Sequence, residues 1–195
     1  MTQLDVQSLP LQGLLLLRPR RFDDERGFFS EVYQRENLRS FGIDSLFVQD
    51  NHVYSTRAGV LRGLHFQKPP RAQGKLVRCV RGAILDVAVD IRRGSPTFGQ
   101  HLAMEISADN WAQIWVPSGF AHGYVTLTPD CEIIYKVTDY YSPEHEMGIA
   151  WDDPELAIDW RIDPATAILS PKDAANPRLA RMPAVFDFEP GIAIA

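Results

Sequence analysis

Apolar and polar residues alternate with a period of two over several short stretches of this chain, the pattern of half-buried β-strands. Within residues 84–91, Leu85, Val87, Val89 and Ile91 share one face while Asp86 and Asp90 fall on the other. Leu102, Met104 and Ile106 alternate with His101, Ala103 and Glu105, and Cys131, Ile133, Tyr135 and Val137 stand opposite Glu132, Lys136 and Thr138. β-Prone residues also sit beside turn signals at Val53-Tyr54 and Ile114-Trp115-Val116. Fourteen prolines and 13 glycines are spread along the chain, a spacing that suits many short strands joined by turns. Helical signals are few. Residues 35–41 predict about two turns stopped by Gly42, Ser107-Ala108-Asp109-Asn110 predicts a turn or a single helical turn, and Ser170-Pro171-Lys172-Asp173 predicts a helix start with Pro171 in its first turn. The pattern predicts an all-β, antiparallel sandwich or barrel such as a jelly roll, with a few short helices.

Composition narrows the class. A chain of 195 residues holds one compact domain, and 45% hydrophobic with 23% charged residues is ordinary for a globular protein. Twenty basic against 25 acidic residues leave a formal charge of -5, which argues against nucleic-acid partners that need a basic surface. Cys79 and Cys131 are too few for a disulfide framework and read as small buried residues in a reducing compartment. The apolar run Leu14-Leu15-Leu16-Leu17 ends at Arg18 and Pro19, too short for a signal peptide core or a membrane span, so a cytoplasmic location is expected.

Two segments concentrate candidate chemistry. The first is Gly59-Val60-Leu61-Arg62-Gly63-Leu64-His65-Phe66-Gln67, followed by Gln73-Gly74-Lys75. Histidine is the usual general base near neutral pH, and a lysine can stabilise a developing oxyanion. Arg62 and His65 are three apart, so strict alternation would put them on opposite faces; Gly63 is placed where a bulge would re-aim one of them. The second segment runs from Trp115 through Val116, Pro117, Ser118, Gly119, Phe120, Ala121 and His122 to Gly123 and Tyr124, where the two glycines suggest a tight connection between strands. Tyr135, on an apolar strand face, needs a partner for its hydroxyl or serves as a proton donor inside a barrel. Taken singly, each residue reads as structural. A metal site is disfavoured: none of His52, His65, His101, His122 and His145 is spaced His-x-His, and Lys75 would repel a cation. No glycine-rich dinucleotide or triphosphate loop is present in the sequence.

Taken together, these segments resemble the dTDP-4-dehydrorhamnose 3,5-epimerase family, which has the RmlC-like cupin fold. The resemblance runs through residues 22–31, Gln49-Asp50-Asn51, residues 59–67, 73–79, 86–92, 95–99, 115–123 and 135–141, and Leu169-Ser170-Pro171-Lys172-Asp173. It implies one jelly-roll domain over residues 1–180, with amino-terminal strands exchanged across a dimer, and a carboxy-terminal tail of 181–195 without a usable motif. His65 matches the general base, Asp173 the carboxylate that polarises it, Lys75 the charge on the enolate oxygen, and Tyr135 the acid on the opposite face. Phe22, Arg26, Glu31, Gln49, Asn51, Arg62, His122, Glu146 and Lys172 match positions that contact the nucleotide sugar. Phe22, Arg26 and Glu31 would reach the partner subunit's site, so a homodimer is implied.

The implied reaction inverts C3 and C5 of dTDP-4-dehydro-6-deoxy-D-glucose on the way to dTDP-L-rhamnose. Both hydrogens are acidic because they flank a ketone, and the ketone is itself the electron sink, so neither cofactor nor metal is expected. Phe28 and Tyr141 are aromatic candidates to pack on the base or sugar. The rival readings are an epimerase acting at C3 only or C5 only, a metal-dependent cupin, and a non-catalytic nucleotide-sugar binder.

Overall fold

A computed structural model describes residues 4–190 of the chain. It contains two stacked antiparallel sheets. The first holds β1 (Leu4–Ser8), β2 (Leu15–Pro19), β5 (Gln49–Ser55), β7 (Lys75–Arg81), β10 (Gln113–Val116) and β12 (Cys131–Val137), in the order β1-β2-β10-β7-β12-β5. The second holds β6 (Leu61–Gln67), β8 (Ala83–Asp90), β9 (His101–Ser107), β11 (Phe120–Thr126) and β13 (Glu146–Gly148), in the order β13-β6-β11-β8-β9. A separate two-stranded hairpin, β3 (Phe22–Asp24) with β4 (Gly27–Phe29), stands apart from both. Most sequence neighbours in each sheet are not neighbours in space, as a jelly roll requires.

The alternating stretches become strands because each inward side chain has a buried place to go. Val77, Cys79, Ile114, Val116 and Ile133 from the first sheet meet Ile84, Ala88, Ile106, Phe120 and Tyr124 from the second, forming the interior of the sandwich. Leu85, Val87, Val89 and Ile91 do share a face, but it is the outer face of the second sheet. That face is covered by the chain after β13, with Ile149, Leu156, Trp160, Leu179, Met182, Val185 and Phe186 packed against it. The opposite face of β8 is therefore the barrel interior and not solvent, and Asp86 and Asp90 are both fully buried. A strand covered on both faces loses the alternation of burial that its sequence suggests.

The first sheet is covered on its outer side by α1 (Arg35–Ser40) and the residues around it, through Leu38, Ile43 and Phe47 against Leu15, Leu17, Leu76 and Trp115. The predicted helix at residues 35–41 thus forms, capped by the Gln34 side chain. The turn at residues 108–110 forms as well, with Asn110 Oδ1 accepting from the Ser107 amide at 3.0 Å. Cys79 and Cys131 are free and buried, and burial pushes the Cys79 thiol up to about 12. No helix among the described residues is long and apolar enough to cross a membrane. The tail beyond residue 180 joins the same body as far as it is described: Arg93 and Asp187 form a parallel bridge, and residues 191–195, like residues 1–3, lie outside the described residues.

Candidate active site

The strand register brings the polar residues to one place. Pairing of Lys75 with Val137, Val77 with Tyr135, Tyr135 with Asn51 and Val137 with Gln49 puts the side chains of Lys75, Val77, Tyr135, Gln49 and Asn51 on a common face of the first sheet. In the second sheet His65 lies directly opposite His122. Two adjoining cavities, of about 240 and 260 Å³, share His65, Lys75 and Tyr135 as lining. Arg62, His122, Lys172 and Asp173 border the first cavity; Gln49, Asn51, Tyr141 and Glu146 border the second.

Arg62 and His65 line the same cavity because of the bulge that Gly63 suggested. Between the pairs His122–His65 and Tyr124–Arg62, β6 carries one residue more than β11. Gly63 takes a φ of +137°, and a Cβ there would stand 2.6 Å from the Gly123 Cα. The strands approach so closely that neither glycine can carry a side chain without moving backbone. Gly123 is accordingly inside β11 and serves this close approach; the tight connection before β11 is made by Gly119 alone of the two, at φ +92°.

His65 is held by Asp173, with Nε2 and Oδ1 2.5 Å apart. Asp173 arrives from a distant part of the chain on α2 (Pro171–Ala174), where Ser170 caps the helix and its Oγ accepts from the Asp173 amide at 3.1 Å. Burial alone would raise the Asp173 carboxyl, but the bond to His65, its charge, the Ser170 contact and the nearby Lys172 hold it below the ordinary carboxylate value. The Lys75 ammonium donates to the His65 carbonyl at 3.3 Å. Desolvation pushes Lys75 down to about 8, against the opposing pull of the Asp86 and Glu146 charges. Burial raises Tyr135, so its phenol keeps its proton at neutral pH and is available as an acid.

The wall of the second cavity is a connected polar network. Glu146 Oε2 takes the Lys172 ammonium at 2.5 Å and the Tyr141 hydroxyl at 2.6 Å. The Tyr141 amide donates to Gln49 Oε1 at 3.1 Å, and Gln49 Nε2 donates to Asn51 Oδ1 at 2.8 Å. Burial would raise Glu146, yet Lys172 and Tyr141 hold it below its ordinary value.

Three of the residues matched by resemblance lie elsewhere in this chain. Phe22 is exposed on β3, and Arg26 projects from the hairpin paired with Asp24 at 2.6 Å. Glu31 borders a small groove beside Leu38 and Gln113. None of the three lines either cavity. Phe28 also lies outside them, edge-on to Trp111 at 4.9 Å, whereas Tyr141 lines the second.

Some residues of the site carry no role in the sequence reading. Gln67 and Gln73 line the second cavity, and Tyr124 lines the first with a buried hydroxyl that has no hydrogen-bond partner among the described residues. Asp86 is fully buried beneath His122, and its two oxygens lie 3.0 and 2.9 Å from the His122 Nε2. The available signal for Asp86 was a carboxylate set among apolar residues of one strand. Among the described residues no three His, Cys, Asp or Glu side chains are grouped to hold a metal ion. What the cavities assemble is a histidine–aspartate pair, a protonated phenol and an enclosed ammonium around one space, groups of the kind needed to move a proton next to a carbonyl.

The family model described as dTDP-4-dehydrorhamnose 3,5-epimerase matches residues 8–181. A protein of that name from Sinorhizobium fredii is 50% identical over 190 residues, covering 96% of this chain and 97% of that protein. The crystal structure of a dTDP-6-deoxy-D-glucose-3,5-epimerase from Legionella pneumophila, in complex with dTDP-4-keto-L-rhamnose, superposes with a TM-score of 0.91 at 44% identity, covering 95% of this chain and 99% of that one. A 3'-monoepimerase from Streptomyces bikiniensis in complex with dTDP-quinovose superposes less closely, with a TM-score of 0.82 at 35% identity over 88% of this chain and 86% of that one.

Proposed function

The chain belongs to the dTDP-4-dehydrorhamnose 3,5-epimerase family, and from that premise we propose how its cleft works on dTDP-4-dehydro-6-deoxy-D-glucose. The protein is an epimerase that inverts C3 and C5 of this sugar nucleotide, in the cytoplasm, to give dTDP-4-dehydro-L-rhamnose. His65, polarised by Asp173, removes the proton next to the C4 ketone. The electron pair passes into the C4 oxygen, where the Lys75 ammonium stabilises it; comparable donors contribute about 3–4 kcal/mol in other enzymes. Tyr135 returns a proton to the carbon from the opposite face and inverts it. No bound cofactor is needed, because the substrate's own ketone holds the charge. The observation that carries this reading is that one cavity space is bordered by His65, Tyr135 and Lys75 together.

Arg62, His122 and Lys172 at the first cavity and Gln49, Asn51 and Glu146 at the second are assigned to the nucleotide sugar, the cations to its diphosphate. Phe22, Arg26 and Glu31, which lie away from their own chain's cleft, are assigned to the cleft of a second copy in a homodimer. The exposed aromatics Phe22, Phe28 and Phe29 on the hairpin support that assignment, since such a cluster calls for a covering surface.

The test is incubation with dTDP-4-dehydro-6-deoxy-D-glucose in D2O, followed by NMR at both carbons. Deuterium and inversion at C3 and C5 are expected. Inversion at one carbon alone would make this a mono-epimerase, and binding without any exchange would overturn the catalytic reading.

A further inference from the structure

Beside the cleft stands a second histidine–carboxylate pair, His122 with Asp86, whose carboxylate takes no part in binding or proton transfer as described. Asp86 lies midway along β8 with no exposed surface, flanked by Leu85 and Val87. A carboxylate in such a place is costly unless it is paired. Among the described residues its side-chain hydrogen bonds go to one atom, the His122 Nε2, which both oxygens approach. That contact requires a proton on Nε2, which fixes the ring. Nδ1 is left without a hydrogen-bond partner among the described residues, while the ring borders the first cavity.

We propose that Asp86 is a positioning residue for the epimerisation: from behind His122 it fixes the ring and sets a carboxylate against the cavity that His122 and Lys75 both line. The proposal rests on the function assigned above.

The charges around Lys75 single out Asp86 for this part. From β6 come Arg62 and His65; from β11, His122 and Tyr124; from β12, Tyr135. From β13 comes Glu146, and from α2 come Lys172 and Asp173. Three of these neighbours are carboxylates once Asp86 is counted. Glu146 is taken up by Lys172 and Tyr141, and Asp173 by His65. Among the described residues Asp86 has no lysine or arginine ion-pair partner, so its charge is left to act on His122 and on Lys75. An ammonium that must meet an enolate has to stay protonated in a pocket that disfavours charge, and a buried carboxylate nearby opposes that loss.

The experiment measures exchange and kcat against pH for the wild-type enzyme and for Asp86→Asn. The variant is expected to lose about 10- to 100-fold in kcat, by analogy with the loss when a carboxylate that orients a metal-bound histidine is removed. Its alkaline limb should move to lower pH, because Lys75 without Asp86 gives up its proton sooner. A structural role alone would lower the melting temperature and leave the limb in place, and that result overturns the proposal. Where Asp86→Asn does not fold, ¹⁵N NMR of histidine-labelled wild-type enzyme decides: the proposal requires a proton on His122 Nε2, and a bare Nε2 overturns it. Absence of exchange in the wild-type enzyme would instead remove the proposed function itself.

Discussion

His65 with Asp173 and His122 with Asp86 are the same pair of side chains, set opposite one another across two hydrogen-bonded strands, yet the fold treats them differently. The His65 side chain is 26% exposed and its carboxylate comes from a short helix laid over the cleft late in the chain. His122 is 7% exposed, and its carboxylate is built into the neighbouring strand β8, facing the barrel interior. The first pair is open enough to meet a substrate proton and exchange it; in the second His122 borders the cavity but is mostly buried and Asp86 behind it is fully so, which suits it to orient and charge the cleft. Pairing a histidine with a carboxylate therefore does not identify the base. Access does.

The largest effect that tests this contrast is His65→Ala, which should reduce deuterium exchange about 10³-fold, within the range for losing a general base. Binding of dTDP, followed by calorimetry, should be little changed. His122→Ala should act mainly by raising KM, and a loss of exchange as complete as that of His65→Ala would erase the distinction between the pairs. Next in size, Tyr135→Phe should lower net inversion about 10²-fold while wash-in of deuterium by His65 continues, measured by NMR on recovered substrate. Equal loss of exchange and inversion would instead place the phenol in proton removal. The smallest effect is on acid stability. Asp173 has a folded pKa below its unfolded value, so its contribution is fully present above the unfolded value of about 3.9 and is lost as pH falls through the folded one. Asp173→Asn should therefore flatten the fall of melting temperature below about pH 4. A slope identical to wild type would mean that the His65 pairing does not persist in the free enzyme.

Much of this molecule was legible along the chain because it depends on local periodicity. The strands around Ile84, Leu102 and Ile133, the helix ended at Gly42 and the cap at Ser170 all follow from side-chain alternation or turn chemistry within a few residues. Recognisable runs around His65, Lys75, Tyr135 and Asp173 also marked the candidate chemistry before any geometry was known. At residues 84–91 alternation separated Asp86 from Leu85 and Val87 as observed, but it carried no sign that both faces are buried. Asp86 faces the barrel interior, and the residues after β13 cover the Leu85–Ile91 face.

By itself the sequence determined which segments extend, which turn, and which residue types are available for proton transfer, since these depend on neighbours in the chain. The tertiary structure alone decided that residues 62, 65, 75, 135 and 173 border one space, that Gly63 and Gly123 must be bare for β6 and β11 to close, and which histidine is mostly buried. Those outcomes depend on contacts between strands far apart in sequence, and burial and electrostatics are properties of what surrounds a side chain rather than of the order in which it is written.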